Sequence, residues 1–461
     1  MLRRTRIRPS WGGDRPWFPW PLRNGSQRPE KAHLIDPVNP FLFAMAGATP
    51  VWHLLRQLLW SIALMGSLTS TVFLGMVLFA AVRYAISCRT QRQRVLGVPL
   101  RELPPVTILK PLHGREAMLE ENLESFFRQD YPNFEIVFGV RSYEDQALSV
   151  VDKLQAKYPQ VPTRTVVSGE PSWPNAKVYS LSKMIASCAD EFLVISDSDV
   201  LVRPDFLRNV IPPLLNPKVG LVTCLYQGIP ARGFWSQLDA LGMSIEMPSG
   251  VLVAEMVDGM KFALGAAMAV RRDAVEAIGG IRETAYFYSD DFVLGNRIAR
   301  AGYEVVLSHY KVGHVLASRS LRRTLGDQLR WMKSTRFSRP LGHVGSGLTY
   351  AVPFGLLALL LGLGHGNHLR AGLELFLIAW LNRTLLALVV GWGIMRDRRS
   401  LWLCWLYPLR DLLGFGVWVA SFFGKTFFWR GETYQFGDEG RITPEQRPVS
   451  LPSDALPHGH E

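Results

Sequence analysis

Phe192-Leu-Val-Ile-Ser-Asp-Ser-Asp199 is a short apolar run that stops abruptly on two carboxylates one residue apart. An unbroken apolar run of this length reads as a strand buried on both faces, the pattern of a parallel sheet. In open α/β sheets ligands bind beyond the carboxyl ends of the strands, which is where Asp197 and Asp199 fall. Side chains two apart on an extended chain point the same way, so both carboxylates can face one divalent cation. A hard cation held there keeps positions open for phosphate oxygens. An Asp-x-Asp at a strand end is also a common solvated turn, so the flanking sequence has to decide.

Working outward, residues 104 to about 310 alternate strand and helix. Val106–Leu112, Phe134–Val140, Arg164–Val167 and Gly220–Cys224 read as further strands, and Ala117–Gln129, Gln146–Tyr158 and Lys177–Ala189 as helices. That alternation predicts an α/β domain over 104–340, built from right-handed βαβ units on a mostly parallel sheet.

The flanks are of another kind. Gln57–Val82 holds no charged residue, long enough for a membrane helix placed at 57–83. Leu348–Gly364, Leu375–Ile394 and Leu401–Phe423 predict three trailing spans within 348–423. Arginines crowd after Val82 and at Arg396, Arg398 and Arg399, which puts the α/β domain in the cytoplasm of a bacterial-type inner membrane. Arg383, Arg410 and Asp411 fall at membrane depth, where charge must be paired or face a cavity. Arg410–Asp411 reads as a structural pair or as a polar pocket for a lipid headgroup. Residues 1–55, rich in Arg, Pro and Trp, predict a disordered basic region, and 424–461 an interfacial segment with a flexible tail. The net charge of +12 suits an anionic bilayer surface better than nucleic acid, because its basic clusters flank apolar spans. Four scattered cysteines form neither a disulfide framework nor a metal-ligand spacing.

Four clusters join Asp197 and Asp199. Asp145 follows the second strand and opens a helix, as an ordinary N-cap also does. Asn175-Ala-Lys177 begins the next helix, where a lysine beside free N–H groups suits phosphate. Ser289-Asp-Asp-Phe292 heads a helix and offers either a capping charge or a general base. Asp327-Gln-Leu-Arg330-Trp331 lies on a basic amphipathic helix.

Taken in order, Leu109-Lys-Pro-Leu…Gly114, Asn122-Leu-Glu-Ser-Phe-Phe127, Gln129-Asp-Tyr-Pro132, Asp145, Lys177, Asp197-Ser-Asp199, Asp290-Asp291 and Arg330-Trp331 resemble the ceramide glucosyltransferases and the bacterial hopanoid glycosyltransferases. The resemblance runs from about residue 60 to a closing Trp429-Arg-Gly…Tyr434. It implies a GT-A type fold and an inverting transfer of one hexose, glucose or N-acetylglucosamine, from a UDP-sugar with Mg²⁺ or Mn²⁺. The acceptor it implies is a membrane lipid hydroxyl. By matching motif, Asp291 is the expected base, and Asp145, Lys177, Asp197, Arg330 and Trp331 the donor-binding residues. Asp199 and Asp197 are the expected metal ligands. Asp327 stands where the family has Gln or Arg, and a carboxylate cannot donate to phosphate. Two other readings stay open, a processive polysaccharide synthase and a non-catalytic nucleotide-binding membrane protein.

Overall fold

The computed structural model describes residues 40–316, 320–363, 368–429 and 432–445, with side chains from residue 51 on. The chain divides into units 1–54 and 55–461, the first contributing to the described residues only the opening turns of helix α1 (Pro40–Leu96). That helix outruns the expected 57–83 at both ends and begins inside the stretch expected to be irregular. Residues 1–39 lie outside the described residues.

The α/β domain follows as β1 (Val106–Pro111), α2 (Leu119–Phe127), β2 (Phe134–Val140), α3 (Leu148–Lys157), β3 (Thr163–Val167), α4 (Ala176–Ala186), β4 (Phe192–Ser196), β5 (Val200–Leu201), α5 (Phe206–Val210), β6 (Val219–Pro230), α6 (Phe234–Asp258), β7 (Ala267–Arg271), α7 (Arg272–Ala277), α8 (Asp290–Arg300) and β8 (Glu304–Leu316). Its sheet has the order β3-β2-β1-β4-β7-β6-β8-β5. β1 pairs in parallel with β2 and β4, β2 with β3, and β6 with β8, while β7 runs antiparallel between β4 and β6. The strand order reverses between β1 and β4, and this switch point is where a nucleotide crevice opens in such sheets. The mostly parallel sheet of a GT-A type domain is therefore present. Alternate residues of β1 feed opposite cores, Ile108 packing with α2 and α3 and Leu109 with α4 and α8.

Then come α9 (Leu321–Ser338), α10 (Pro340–Gly347), α11 (Val352–Leu363), α12 (Leu369–Leu386), α13 (Arg399–Leu403), α14 (Tyr407–Ser421), and strands β9 (Thr426–Trp429), β10 (Glu432–Phe436) and β11 (Ile442–Pro444). Among the described residues three helices are long and apolar enough to cross a bilayer: Val51–Leu96, α6 and Leu369–Ile394. α10 and α11, bent by 42°, make a fourth if counted as one span. This corrects one of the expected three trailing spans. Leu401–Phe423 is broken between α13 and α14 by a 3-10 turn at Cys404–Leu406, and Pro408 starts α14 afresh. Its 15 residues reach only about 22 Å, short of a bilayer core. α6 joins β6 to β7, neighbours in one sheet, so both its ends lie on the same side and it adds no crossing.

The intramembrane charges are paired, though not as neighbours. Consecutive residues on a helix do not face each other. Arg383 therefore pairs with Asp411 at 2.9 Å, and Arg410 with Glu246 of α6 at 3.0 Å. Asp411 also accepts the amides of Ala351 and Val352 at 3.0 and 2.9 Å, capping α11. Of 424–461, expected to be an interfacial segment with a flexible tail, residues 426–444 fold into a sheet of order β11-β10-β9, and 446–461 lie outside the described residues. Phe427, Tyr434, Phe436 and Ile442 pack it onto Tyr288 and Phe337.

Candidate active site

β4 ends at Ser196, and the chain carries Asp197 to the switch point, its amide donating to Ala266 O at 3.2 Å. α4 opens beside it because Asn175 caps the helix, its side chain accepting from Val178 N–H at 3.2 Å. The cap sets Lys177 in the first turn, with its ammonium 2.7 Å from Asp197 and 3.6 Å from Asp290. Burial alone would lower the Lys177 pKa, but Asp197 and Asp290 outweigh it and hold the ammonium above its ordinary range. Lys177, expected to meet phosphate directly, thus also ties the strand-end acid to the head of α8. Asn175 Nδ2 reaches Asp290 Oδ1 at 3.3 Å and closes the link.

Asp291 stands next on α8. Burial first, and then the charge of Asp290, raise its pKa to about 6. The helix N-terminus favours the ionised carboxylate, but desolvation wins over it. Its carboxylate lies against Gly265, where a Cβ would come within 2.8 Å of Oδ2. Gly265 precedes Ala266, so one loop positions both Asp197 and Asp291.

On the other side of β4, Asp199 Oδ2 faces His314 Nε2 at 3.6 Å. Asp199 Oδ1 and His314 Nδ1 are buried without hydrogen-bond partners among the described residues. A carboxylate oxygen and an imidazole set side by side, with polar atoms unspent, fit a divalent cation. Among the described residues no group of three or more His, Cys, Asp or Glu comes together as a complete metal cage. Tyr226 completes this corner, its ring 5.4 Å from that of His314.

Lys110 lies fully buried beneath, donating to Asp197 O and, at 3.3 Å, to Ser196 Oγ, over the face of Phe126 at 3.9 Å. Burial pushes its pKa down to about 7.

Asp145 is placed differently. Its carboxylate accepts from Gly114 N–H at 2.9 Å and Ala147 N–H at 2.9 Å, pinning the loop after β1 to the turn after β2. Arg330 donates to Asp327 at 3.1 Å and lies 5.9 Å over the Tyr288 ring, with its Nε buried and unpartnered among the described residues. Asp327, set aside because it cannot donate to phosphate, is what holds that guanidinium. Gln328 reaches Asp239 of α6 at 2.6 Å, and Trp331 is exposed. Lys177, Asp197, Asp290 and Asp291 are therefore brought together, with Asp199 beside His314. Asp145 and Trp331 lie outside that cluster. His314 and Tyr226 escaped the sequence reading, and Lys110 and Asp290 stood outside the expected site residues. Only Lys110 and Asp290 had carried a signal, inside quoted motifs.

A cleft opens at the carboxyl ends of β1, β2 and β3, lined by Pro111, Leu112, Arg141, Gly169 and Lys177 and by Trp429, Glu432 and Tyr434 from the C-terminal sheet. The sequence model of glycosyl transferase family 21 matches residues 69–442. The chain belongs to that family. This family-21 glycosyltransferase is 25% identical over 347 residues to ceramide glucosyltransferase 3 of Caenorhabditis elegans, covering 74% of this chain and 75% of that one. It is 35% identical over 136 residues to the ceramide glucosyltransferase of Komagataella phaffii, covering 28% and 26%. Among solved structures, the mannosyltransferase PcManGT of Pyrobaculum calidifontis, in complex with GDP-Man and Mn²⁺, aligns at 19% identity with a TM-score of 0.45, over 79% of this chain and 99% of that one. The protein is thus a membrane glycosyltransferase of the ceramide glucosyltransferase-like family.

Proposed function

We propose that the protein moves one hexose, glucose or N-acetylglucosamine, from a UDP-sugar to the hydroxyl of a membrane lipid such as ceramide or a hopanoid, with inversion. The observation that carries this is Asp291, a half-buried carboxylate poised near neutrality beside the Lys177–Asp197–Asp290 cluster. A general base works best with a pKa close to the operating pH. Asp291 takes the proton of the acceptor hydroxyl as that oxygen attacks the anomeric carbon. Direct displacement inverts the centre without a second carboxylate nucleophile. Arg330 offers its planar fork to the diphosphate. Mg²⁺ or Mn²⁺ would be held by Asp199, with His314 beside it and Asp197 as the second carboxylate. When bound, the cation supplies neutralisation of the charge gathering on the departing UDP.

A lipid acceptor is supported by an apolar groove of about 370 Å³ between α6 and α13, lined by Phe234, Leu238, Leu241 and Trp402 and edged by Arg399. Arg399 reaches Gly228 O, and Gly228 pairs across the sheet with His314. Arg399 thus links the edge of the groove to the strand paired with that of His314. Single transfer is favoured over polymer synthesis because Arg383–Asp411 and Arg410–Glu246 fill the helix bundle with paired charge.

Purified protein given UDP-glucose or UDP-N-acetylglucosamine and lipid acceptor should yield one glycolipid by mass spectrometry, and Asp291→Asn about 10²–10⁴ less. A polymer product, or a variant as fast as wild type, overturns the assignment. The catalytic domain faces the cytoplasm of a bacterial-type inner membrane on this reading. Labelling of a cysteine placed at the exposed position Asp152 by an impermeant reagent in intact cells would refute that orientation.

A further inference from the structure

Resting on that donor reading, we infer that the C-terminal sheet supplies the outer wall of the nucleotide site, with Trp429 as the surface against which the donor's base stacks. A cation beside Asp199 and His314, together with Lys177, would place a diphosphate at the carboxyl end of β4. From there a nucleoside can extend toward β1, β2 and β3, whose ends carry Leu112, Arg141 and Gly169. The wall facing those strand ends is formed by Trp429, Glu432 and Tyr434, which stand far along the chain from the domain they complete.

The sheet that carries Trp429 is built to hold it there. Phe427 and Phe436 stack at 4.3 Å, Phe337 of α9 stacks on Phe436 at 5.2 Å, and Tyr288 sets its edge against Phe427 and Trp429 at 5.2 and 5.3 Å. Tyr434 donates to Glu432 at 3.0 Å, which fixes both side chains at the cleft. Ile442 N–H reaches Tyr286 O at 2.8 Å, and Phe287 bridges Arg441. The wall is thereby stapled to residues 286–288, directly before Asp290 and Asp291. Tyr288 also underlies Arg330. One aromatic cluster thus joins the base wall, the base catalyst's helix and the guanidinium offered to the diphosphate.

The enclosed part of the cleft is only about 80 Å³, below the roughly 300 Å³ of small-molecule sites. A bound nucleoside therefore lies partly in the open part of the cleft, with one face against the wall. Base–aromatic stacking depends on a flat ring rather than on a particular hydrogen bond, so phenylalanine at 429 retains most of it.

The test is calorimetric titration of the full-length protein in detergent with Mn²⁺, using UDP and pyrophosphate as separate probes. Trp429→Ala should weaken UDP roughly 5- to 100-fold while leaving pyrophosphate unchanged, and Trp429→Phe should recover most of the loss. KM for UDP-sugar should rise with little change in kcat. Equal UDP affinity in wild type and Trp429→Ala overturns the wall assignment alone. An equal loss for UDP and pyrophosphate does so too, since it marks a collapsed fold. A wild type that binds no UDP overturns the donor reading and this inference together.

Discussion

Asp291 is held between a helix N-terminus that favours its charge and a desolvated setting, next to Asp290, that opposes it. The second wins, and the pKa rises to about 6. Two outcomes follow, of opposite sign. A base must be ionised, so kcat/KM should fall about tenfold per pH unit below pH 6 and level off above it. A carboxylate whose folded pKa lies above its unfolded value takes up protons on folding, so the stability it removes is absent at pH 3 and fully felt above pH 6. Asp291→Asn should therefore raise stability by roughly 1–3 kcal/mol at pH 7.5 and by little at pH 3.5. Thermal unfolding at the two pH values, beside the pH–rate profile, checks both. A profile with no break between pH 5 and 7 would remove Asp291 as the base. At this scale the sequence named Asp291, Lys177, Asp197 and Asp199 because each ends a strand or opens a helix in a short local motif. It could not name His314, since nothing near Val312-Gly-His-Val315 announces that β8 returns beside Asp199.

At the scale of elements, β1 to β4 were legible to within a residue or two because each is an apolar run bounded by turn residues. β7 and β8 were not, because one is inserted antiparallel between β4 and β6 and the other pairs with strands far off in sequence. α6 was lost for a chemical reason: its Asp239 and Glu246 look like loop residues until Gln328 and Arg410 are seen opposite them. The non-local return of β8 carries its own prediction. If Asp199 and His314 together hold the cation, Asp199→Asn and His314→Gln should each weaken Mn²⁺ at least about tenfold, read as the Mn²⁺ concentration that half-saturates UDP binding. A His314→Gln titration superimposing on wild type would take His314 out of the site.

For the whole molecule, the question is what couples an α/β domain to a helix bundle. One ion pair is part of the answer. Arg410 of α14 grips Glu246 of α6, and Gly242 leaves the room, since a Cβ there would lie 2.4 Å from Arg410 Nε. Within the bundle, Asp411 binds Arg383 from α12 and caps α11, so one carboxylate fixes three helices. Such pairs need not be worth more than well-packed apolar residues, but losing one partner leaves a buried charge uncompensated. Asp411→Asn keeps the shape and removes the charge, and should cost about 3–5 kcal/mol. Arg383→Met with Asp411→Leu should recover much of that, the deficit then being limited to the uncapped α11. Arg370–Glu374, exposed at 2.8 Å, is the control, and Glu374→Gln should leave the melting temperature unchanged. The measurement is unfolding in detergent of all four proteins, followed by helical signal. If Asp411→Asn melts with wild type, the pair is not what holds the bundle together. If the double variant is less stable than Asp411→Asn alone, charge compensation is the wrong account of it.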